Sequence, residues 1–372
     1  MQSIVEKKRG NFLRQHYIDN IRWLSVLLLF PYHTARIFDG VNSFYIKGPE
    51  SPAATVFVLS CTPWFMPILF VVAGISTRYA LQKRSGAEYI KERFTRLLVP
   101  LLCGILLLIP LQTYFAEVFH NAYAGGYWEQ YLLFFTKPTD FSGYSGGFTP
   151  GQLWFLWYLF VVSLAALPVI HAVNRKRPSP RVSHWMVIPL FLVPFLLSYV
   201  LEIGGKSMGE YFSLFLLGYF VASDSSIQEF TDKYRFAFLI AGAALTFCTV
   251  VFQTSSKEGA MARGIMTCTS WICILAILGL GHRYLNFQNT WTRYLSQSSF
   301  SCYLFHQSWI IVLGFYLLQT PLSIGLQYGI ILVGSLLGSL MAHALCKRWK
   351  VLRWMFGIKE APGGKALPAA AE

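Results

Sequence analysis

Charged side chains are scarce in this chain. Asp, Glu, Lys and Arg make up 13% of its 372 residues, against about 25% in soluble globular domains, too few to clothe a water-facing surface. The acidic sign is the rarer one, with 17 Asp and Glu against 31 Lys and Arg and a net charge of +14. The seven cysteines (Cys61, Cys103, Cys248, Cys268, Cys273, Cys302, Cys346) form no Cys-x-x-Cys and all lie in apolar stretches. That pattern argues against a disulfide framework or a structural zinc and fits cysteine used as a small hydrophobe. No internal repeat is visible, although many transporters are built from repeats. What is abundant is apolar: 55% of residues are hydrophobic and 17% aromatic, with a mean hydropathy of +0.47. These values exclude a soluble enzyme, a disordered chain and a secreted disulfide scaffold. They describe an all-α, polytopic integral membrane protein.

A window of roughly 20 apolar residues gives ten candidate spans, at 21–38, 54–77, 97–116, 153–173, 185–201, 211–223, 236–253, 264–280, 300–318 and 324–346. The sixth is the shortest. The basic start (Lys7, Lys8, Arg9, Arg14) resembles a signal peptide. However, the run behind it carries Arg22 and His33 and lacks a small-residue cleavage site, so it reads as a retained first helix. With a cytoplasmic N-terminus, Arg36, Lys47, Lys137, Lys206, Lys257 and Arg263 fall outside and the other basic residues inside. That ratio of about four to one is what the positive-inside rule expects, and it places both termini in the cytoplasm. The resulting organisation is a cytoplasmic segment over residues 1–16, a ten-helix membrane domain over 17–348 and a tail over 349–372 whose end, from 361, is expected to be disordered. Because the positive charge is shared among short loops, it does not argue for nucleic acid. The one long outer loop, 117–152, is rich in Phe, Tyr and Trp and ends in the irregular stretch 142–150. It reads either as an interfacial aromatic belt or as a platform for sugar rings, with 127–135 as an amphipathic or re-entrant segment.

Ionisable side chains at membrane depth are expensive and point to function. His33 and His306 are the two histidines expected well inside spans. Arg22 and His33 are eleven residues apart, within about 20° of three full helical turns, so they share a face about 16 Å apart along the axis. Asp19 can pair with Arg22 at i,i+3. A second basic cluster, Lys91, Arg93 and Arg96, opens the third span, with Arg93 and Arg96 also at i,i+3. Guanidinium groups suit phosphate. The bland alternatives are a snorkelling arginine, an interhelical histidine hydrogen bond and ordinary topogenic charge.

Taken in order, Tyr17-Ile-Asp-Asn-Ile-Arg-Trp23, Arg22-x10-His33, Pro63-Trp-Phe-Met-Pro-Ile-Leu-Phe-Val-Val-Ala-Gly74, Arg93-Phe-Thr-Arg-Leu-Leu-Val-Pro100, Leu153-Trp-Phe-Leu156 and Tyr303-Leu-Phe-His306 resemble acyltransferase family 3 of membrane O-acyltransferases. The first hundred residues, with Pro31-Tyr-His33, are similar to the branch thought to succinylate periplasmic glucans. One position departs from it, since Gln152 stands where that branch usually has a histidine. No esterase-like domain is expected after the last span. The resemblance implies a multi-pass protein of the bacterial inner membrane that moves an acyl group from cytoplasmic acyl-CoA to a hydroxyl of an extracytoplasmic or lipid-linked glycan, without a metal. Arg22, Arg93 and Arg96 would hold the coenzyme A phosphates and His33 would be the general base, or less readily a transient acyl carrier. His306, helped by Tyr303, would orient the acceptor or stabilise the oxyanion. The alternative from another class is a transporter or flippase for a lipid-linked saccharide. Metal binding by His33 and His306 is disfavoured because no carboxylate or cysteine accompanies them at ligand spacing.

Overall fold

The computed structural model describes residues 15–41, 43–139, 141–176, 184–255 and 259–358. The basic segment before Gln15 and the tail from 359 lie outside these residues, as does Lys257. The chain is helical almost throughout. Its elements are α1 (His16–Phe38), α2 (Pro52–Leu81), α3 (Gly86–Asn121), α4 (Tyr127–Thr136), α5 (Gly151–Arg175), α6 (His184–Leu197), α7 (Met208–Ala222), α8 (Ser225–Lys233), α9 (Arg235–Thr254), α10 (Ala260–Tyr284), α11 (Thr290–Leu317), α12 (Ile324–Arg348) and α13 (Lys350–Met355).

Among the described residues seven helices are long and apolar enough to cross a membrane: α2, α3, α5, α9, α10, α11 and α12. The three other stretches that hydropathy marks are helical but fall short for different reasons. α6 and α7 are short, and α1 carries Asp19, Arg22, His33 and Arg36, which dilute its apolar character. α1 is nevertheless central. It packs against α2, α10, α11 and α12 and buries Ile21, Val26, Leu29, Phe30, Ile37 and Phe38. A polar helix surrounded by helices has protein, not lipid, to receive its charges.

Local sequence explains where helices start and bend. Ser51 caps α2 with Pro52 at the first position, and Ser85 with Glu88 forms a capping box at the start of α3. A second capping box, Asn289 with Thr292, starts α11. Pro67 and Pro110 sit where α2 and α3 are interrupted, because proline removes an N–H from the ladder. Within α3, residues Phe94–Leu98 form a π-helical turn just before Pro100. α6 begins as a 3₁₀ helix over His184–Phe191 containing Pro189.

One element is absent from the hydropathy reading. Glu202–Ile203 and Lys206–Ser207 form a two-residue antiparallel hairpin. Its turn residues Gly204 and Gly205 have φ of +57° and +71°, the backbone that a primed two-residue turn demands and glycine supplies. The Tyr158 hydroxyl sits 3.0 and 2.8 Å from the carbonyls of Ile203 and Lys206 and ties the hairpin to α5.

α2 and α7 cross at backbone distance. A Cβ on Gly74 would lie 2.1 Å from the Phe215 carbonyl oxygen, and one on Gly218 would lie 2.2 Å from that of Val71. Close approach through small residues is how membrane helices associate without a hydrophobic drive between them. Because both obstacles are backbone, Gly218→Val is expected to destabilise by about 3 kcal/mol, the upper end of overpacking costs. Loss of monodisperse protein on detergent extraction and a lower thermal midpoint would register it; an unchanged midpoint would contradict this crossing.

Candidate active site

Two histidines 273 positions apart in sequence meet inside the bundle. His33 on α1 and His306 on α11 have ring centroids 5.2 Å apart. His306 is fully buried, and His33 is partly exposed. The His306 Nδ1 lies 2.6 Å from the Tyr303 carbonyl oxygen. A carbonyl can only accept, so Nδ1 carries the proton and, in the neutral ring, Nε2 carries a lone pair. That Nε2 is buried without a partner, and so is Nδ1 of His33. Unpaired buried nitrogens are costly in a finished core. Two of them on neighbouring rings mark a place where a hydroxyl can be received.

The surroundings are aromatic on one side and amide-rich on the other. Phe30 and Tyr303 flank His306, while Tyr32 meets His33 edge-on and Phe44 stacks on it. Behind His306, Gln307 donates to Gln112 Oε1 at 3.1 Å, and Gln112 donates to Ser308 Oγ at 2.8 Å. Gln152 donates to the Leu304 carbonyl at 3.1 Å and leaves its own Oε1 buried without a partner. Gln152 is therefore bonded to the helix turn that carries His306. Tyr303 lies in the same cluster, but its O–H donates to the Gln152 carbonyl at 2.5 Å. Its hydroxyl is committed to holding α5 against α11.

The arginines lie toward the other end of α1. Arg22 pairs with Asp19 at 3.1 Å and donates to Ser76 Oγ at 2.7 Å. Arg93 reaches the next residue, Thr77, at 3.4 Å, lies 4.3 Å over the Tyr89 ring and buries an unpartnered Nε. Arg22 and Arg93 thus converge on Ser76-Thr77 of α2. Arg96 does not join them there. It is bound to Glu92 at 3.1 Å, which also pairs with Arg84. The π turn at Phe94–Leu98 explains the divergence, since its wider turn rotates Arg96 away from the face that an ideal i,i+3 spacing would share. Arg22 and His33 likewise have different neighbours, α2 for the arginine and α11 for the histidine.

Beyond His33, at the end of α1 away from the arginines, an open cleft of ≈ 650 Å³ is lined by Arg36, Ser43, His120, Asn121, Ser142, Tyr144 and Ser145. Arg36 follows His33 by about one helical turn. The 142–150 stretch forms one wall and is built, not loose. Glu117 pairs with Lys137 at 2.6 Å, Gln130 donates to the Gly146 carbonyl at 2.8 Å, and Thr149 donates to that of Phe141 at 2.7 Å. Gly146 has φ +77°, and a Cβ there would meet Glu117 and Gln130 at 2.5 and 2.7 Å. α4 precedes this wall with Trp128, Leu132 and Phe135 exposed along one face, the spacing of an interfacial helix. Of the lining residues Arg36 is legible in the sequence only as a topogenic charge, and His120 only as a histidine of the long outer loop 117–152. Gln112, Gln307 and Ser308, amides and a hydroxyl inside apolar spans, are the signal in the sequence that marks the wall behind His306. Among the described residues no three His, Cys, Asp or Glu side chains cluster as metal ligands, and all seven thiols are free.

An apolar helical body with a histidine pair in its interior, arginines toward one end and a polar cleft toward the other has the layout of a membrane-embedded group-transfer enzyme. The acyltransferase domain of family 3 matches residues 15–344, and the chain belongs to that family: it is an acyltransferase. It is similar to glucans biosynthesis protein C of Salmonella paratyphi B, with 22% identity over 378 residues, covering 93% of this chain and 95% of the relative. The proteins of that name from Salmonella dublin and Salmonella enteritidis PT4 match to the same extent. No solved structure matches the chain.

Proposed function

We propose that this protein transfers an acyl group from cytoplasmic acyl-CoA to a hydroxyl of an extracytoplasmic or lipid-linked glycan, in the inner membrane, with ten spans and both termini in the cytoplasm. The observation that carries the reading is the His33–His306 pair, with unpartnered buried nitrogens on both rings, set between an arginine end and a hydroxyl-lined cleft. The name of the Salmonella relatives supports a glucan as acceptor.

In this mechanism Arg22 and Arg93 hold the coenzyme A phosphates, with Arg96 beside them on its Glu92 partner. The acyl thioester reaches toward the histidines, over the roughly 16 Å of helix between Arg22 and His33, a span suited to an extended pantetheine arm. His33 takes the proton of the glycan hydroxyl as its oxygen attacks the thioester carbonyl. The C–O bond forms, the tetrahedral intermediate collapses, the C–S bond breaks, and the thiolate leaves and is protonated through His33. Neutral His306, with its proton fixed on Nδ1, offers a lone pair rather than a donor at Nε2. Its role is to orient the acceptor hydroxyl or the His33 ring, not to donate to an oxyanion. Tyr303 acts as a positioning residue. Tyr303→Phe, which keeps the ring and removes the O–H, is expected to cost about 1 kcal/mol of stability and less than about tenfold in initial rate; a loss of about 10²-fold or more would instead put its hydroxyl on the reacting atoms.

The direct test is purified protein in liposomes, given succinyl-CoA or acetyl-CoA and a gluco-oligosaccharide, read by mass spectrometry. The expected product carries an added acyl mass that mild base removes. Oligosaccharide that is never modified with either donor, while the lipid-linked form changes sides of the bilayer, would overturn the reading in favour of a flippase.

A further inference from the structure

On the same side of the bundle as the cleft, a second cavity of ≈ 40 Å³ borders the 142–150 wall and is lined by Phe141, Thr149, Trp154, Trp157, Tyr158 and Lys206. None of these residues takes part in the mechanism above. The volume is roughly three times the least that holds one water, enough for a phosphate group but not for a sugar ring. Lys206 brings the charge. Its ammonium lies 5.0 Å over the Trp154 ring and donates to the Gly204 carbonyl at 3.4 Å, a long contact. Among the described residues no carboxylate pairs with it, and Glu202 on the facing strand pairs with Arg263 instead. Burial pushes the ammonium below its ordinary value. A cation drawn out of water without a counter-ion costs free energy, which an anion from outside the chain would return. The start of α5 lines the same space at Pro150 and Gly151, so the positive end of a 25-residue helix adds to the field.

The surface beside the cavity suits lipid. Tyr199, Val200 and Leu201 are exposed where the chain leaves α6, and they lead directly into the hairpin, whose far end is tied back by the Met208 N–H on the Leu201 carbonyl at 2.9 Å. Indole and phenol rings around a lysine, next to exposed apolar side chains, are the setting in which headgroups lie at a membrane interface. We infer that this cavity seats the phosphate of an anionic phospholipid against Lys206, with the acyl chains along Tyr199, Val200 and Leu201. A zwitterionic headgroup would bring its own cation toward Lys206, where the lining offers no carboxylate to receive it. The site also bears on the reaction centre. Gln152, the residue after Gly151, donates to the Leu304 carbonyl and accepts the Tyr303 O–H. A lipid that orders the start of α5 thereby braces the turn that carries His306.

The thermal midpoint of full-length, delipidated protein in detergent tests this without turnover. The probes are dihexanoyl phosphatidylglycerol, dihexanoyl phosphatidylcholine and sodium phosphate, each titrated at fixed ionic strength. Phosphatidylglycerol is expected to raise the midpoint with its concentration, as a ligand of the folded state does, while phosphatidylcholine and sodium phosphate leave it unchanged. Lys206→Met should demand at least about tenfold more phosphatidylglycerol for the same shift, the order of one hydrogen bond to a charged group, and Lys206→Arg should keep the wild-type response. Ile203→Glu is the second variant. Ile203 is the cross-strand partner of Lys206, so a carboxylate introduced there lies within reach of the ammonium and supplies the counter-ion from inside the chain. That variant should lose the lipid response. Should Lys206→Met fail to fold, Ile203→Glu decides, and should both fail, the wild-type comparison of the two lipids decides. An equal response to phosphatidylcholine, or an undiminished response to phosphatidylglycerol in either folded variant, overturns the site. An equal response to sodium phosphate overturns lipid as the source of the phosphate. Acyl transfer is not measured, so this inference and the acyl-transfer reading fail separately.

Discussion

Replacing His33 by alanine should lower acyl transfer by about 10²–10⁴-fold, the range that a positioned general base contributes, while the protein stays in the membrane and keeps its thermal midpoint. The midpoint should hold because Nδ1 of His33 has no hydrogen bond to lose and the ring is only partly buried. Removing a base leaves acyl-CoA binding intact, so KM for the donor should change little while kcat falls. His306→Ala should behave differently. It deletes a fully buried ring bonded to the Tyr303 carbonyl, so activity and stability fall together. If His33→Ala retains more than about a tenth of the wild-type rate, His33 is not the base. A rate rescued by added imidazole would instead confirm the chemistry at that position.

Arg93→Ala should raise the KM for acyl-CoA by about one to two orders of magnitude, the equivalent of the roughly 1.5–3 kcal/mol assigned to a hydrogen bond to a charged group. Arg93 bridges to Thr77 next to the residue that receives Arg22, so it also holds the geometry of the pair. The informative comparison is an acyl-pantetheine, which has the thioester but no nucleotide phosphates. Wild type should use it poorly, and Arg93→Ala should use it no worse than wild type does, because the lost contact is one that donor never made. Arg96→Ala should have the smaller effect, since its guanidinium is already engaged by Glu92. A variant at Arg93 that still discriminates between the two donors as wild type does would remove these arginines from the donor site. An Arg96→Ala effect exceeding that of Arg93→Ala would show that the π turn unwinds when the donor binds.

Hydropathy located the helical cores but not their ends. The structural helices extend beyond the apolar windows into polar residues: α11 reaches back to Thr290, where Asn289 and Thr292 form a capping box, and α1 reaches back to His16, whose N–H donates to Asn286 Oδ1 at 3.1 Å. Short elements escaped for the opposite reason. The hairpin around Gly204-Gly205 escaped because two-residue strands carry no alternation to detect. The arginine spacing misled at Arg96 because a face computed from 3.6 residues per turn does not survive a π turn.

The amino-acid sequence by itself determined the membrane-like helical class and a family signature, and it singled out two histidines within apolar stretches. All of these depend on local composition and short spacings. Only the tertiary structure decided that those two imidazoles lie side by side, that Gln152 and Tyr303 lock α5 to α11 beside them, and that Arg36 pairs with buried Asp39 at the end of α1. Those facts depend on which helix surfaces meet. Such meetings are set by backbone approaches, such as that of Gly74 and Gly218, between residues that no local pattern connects.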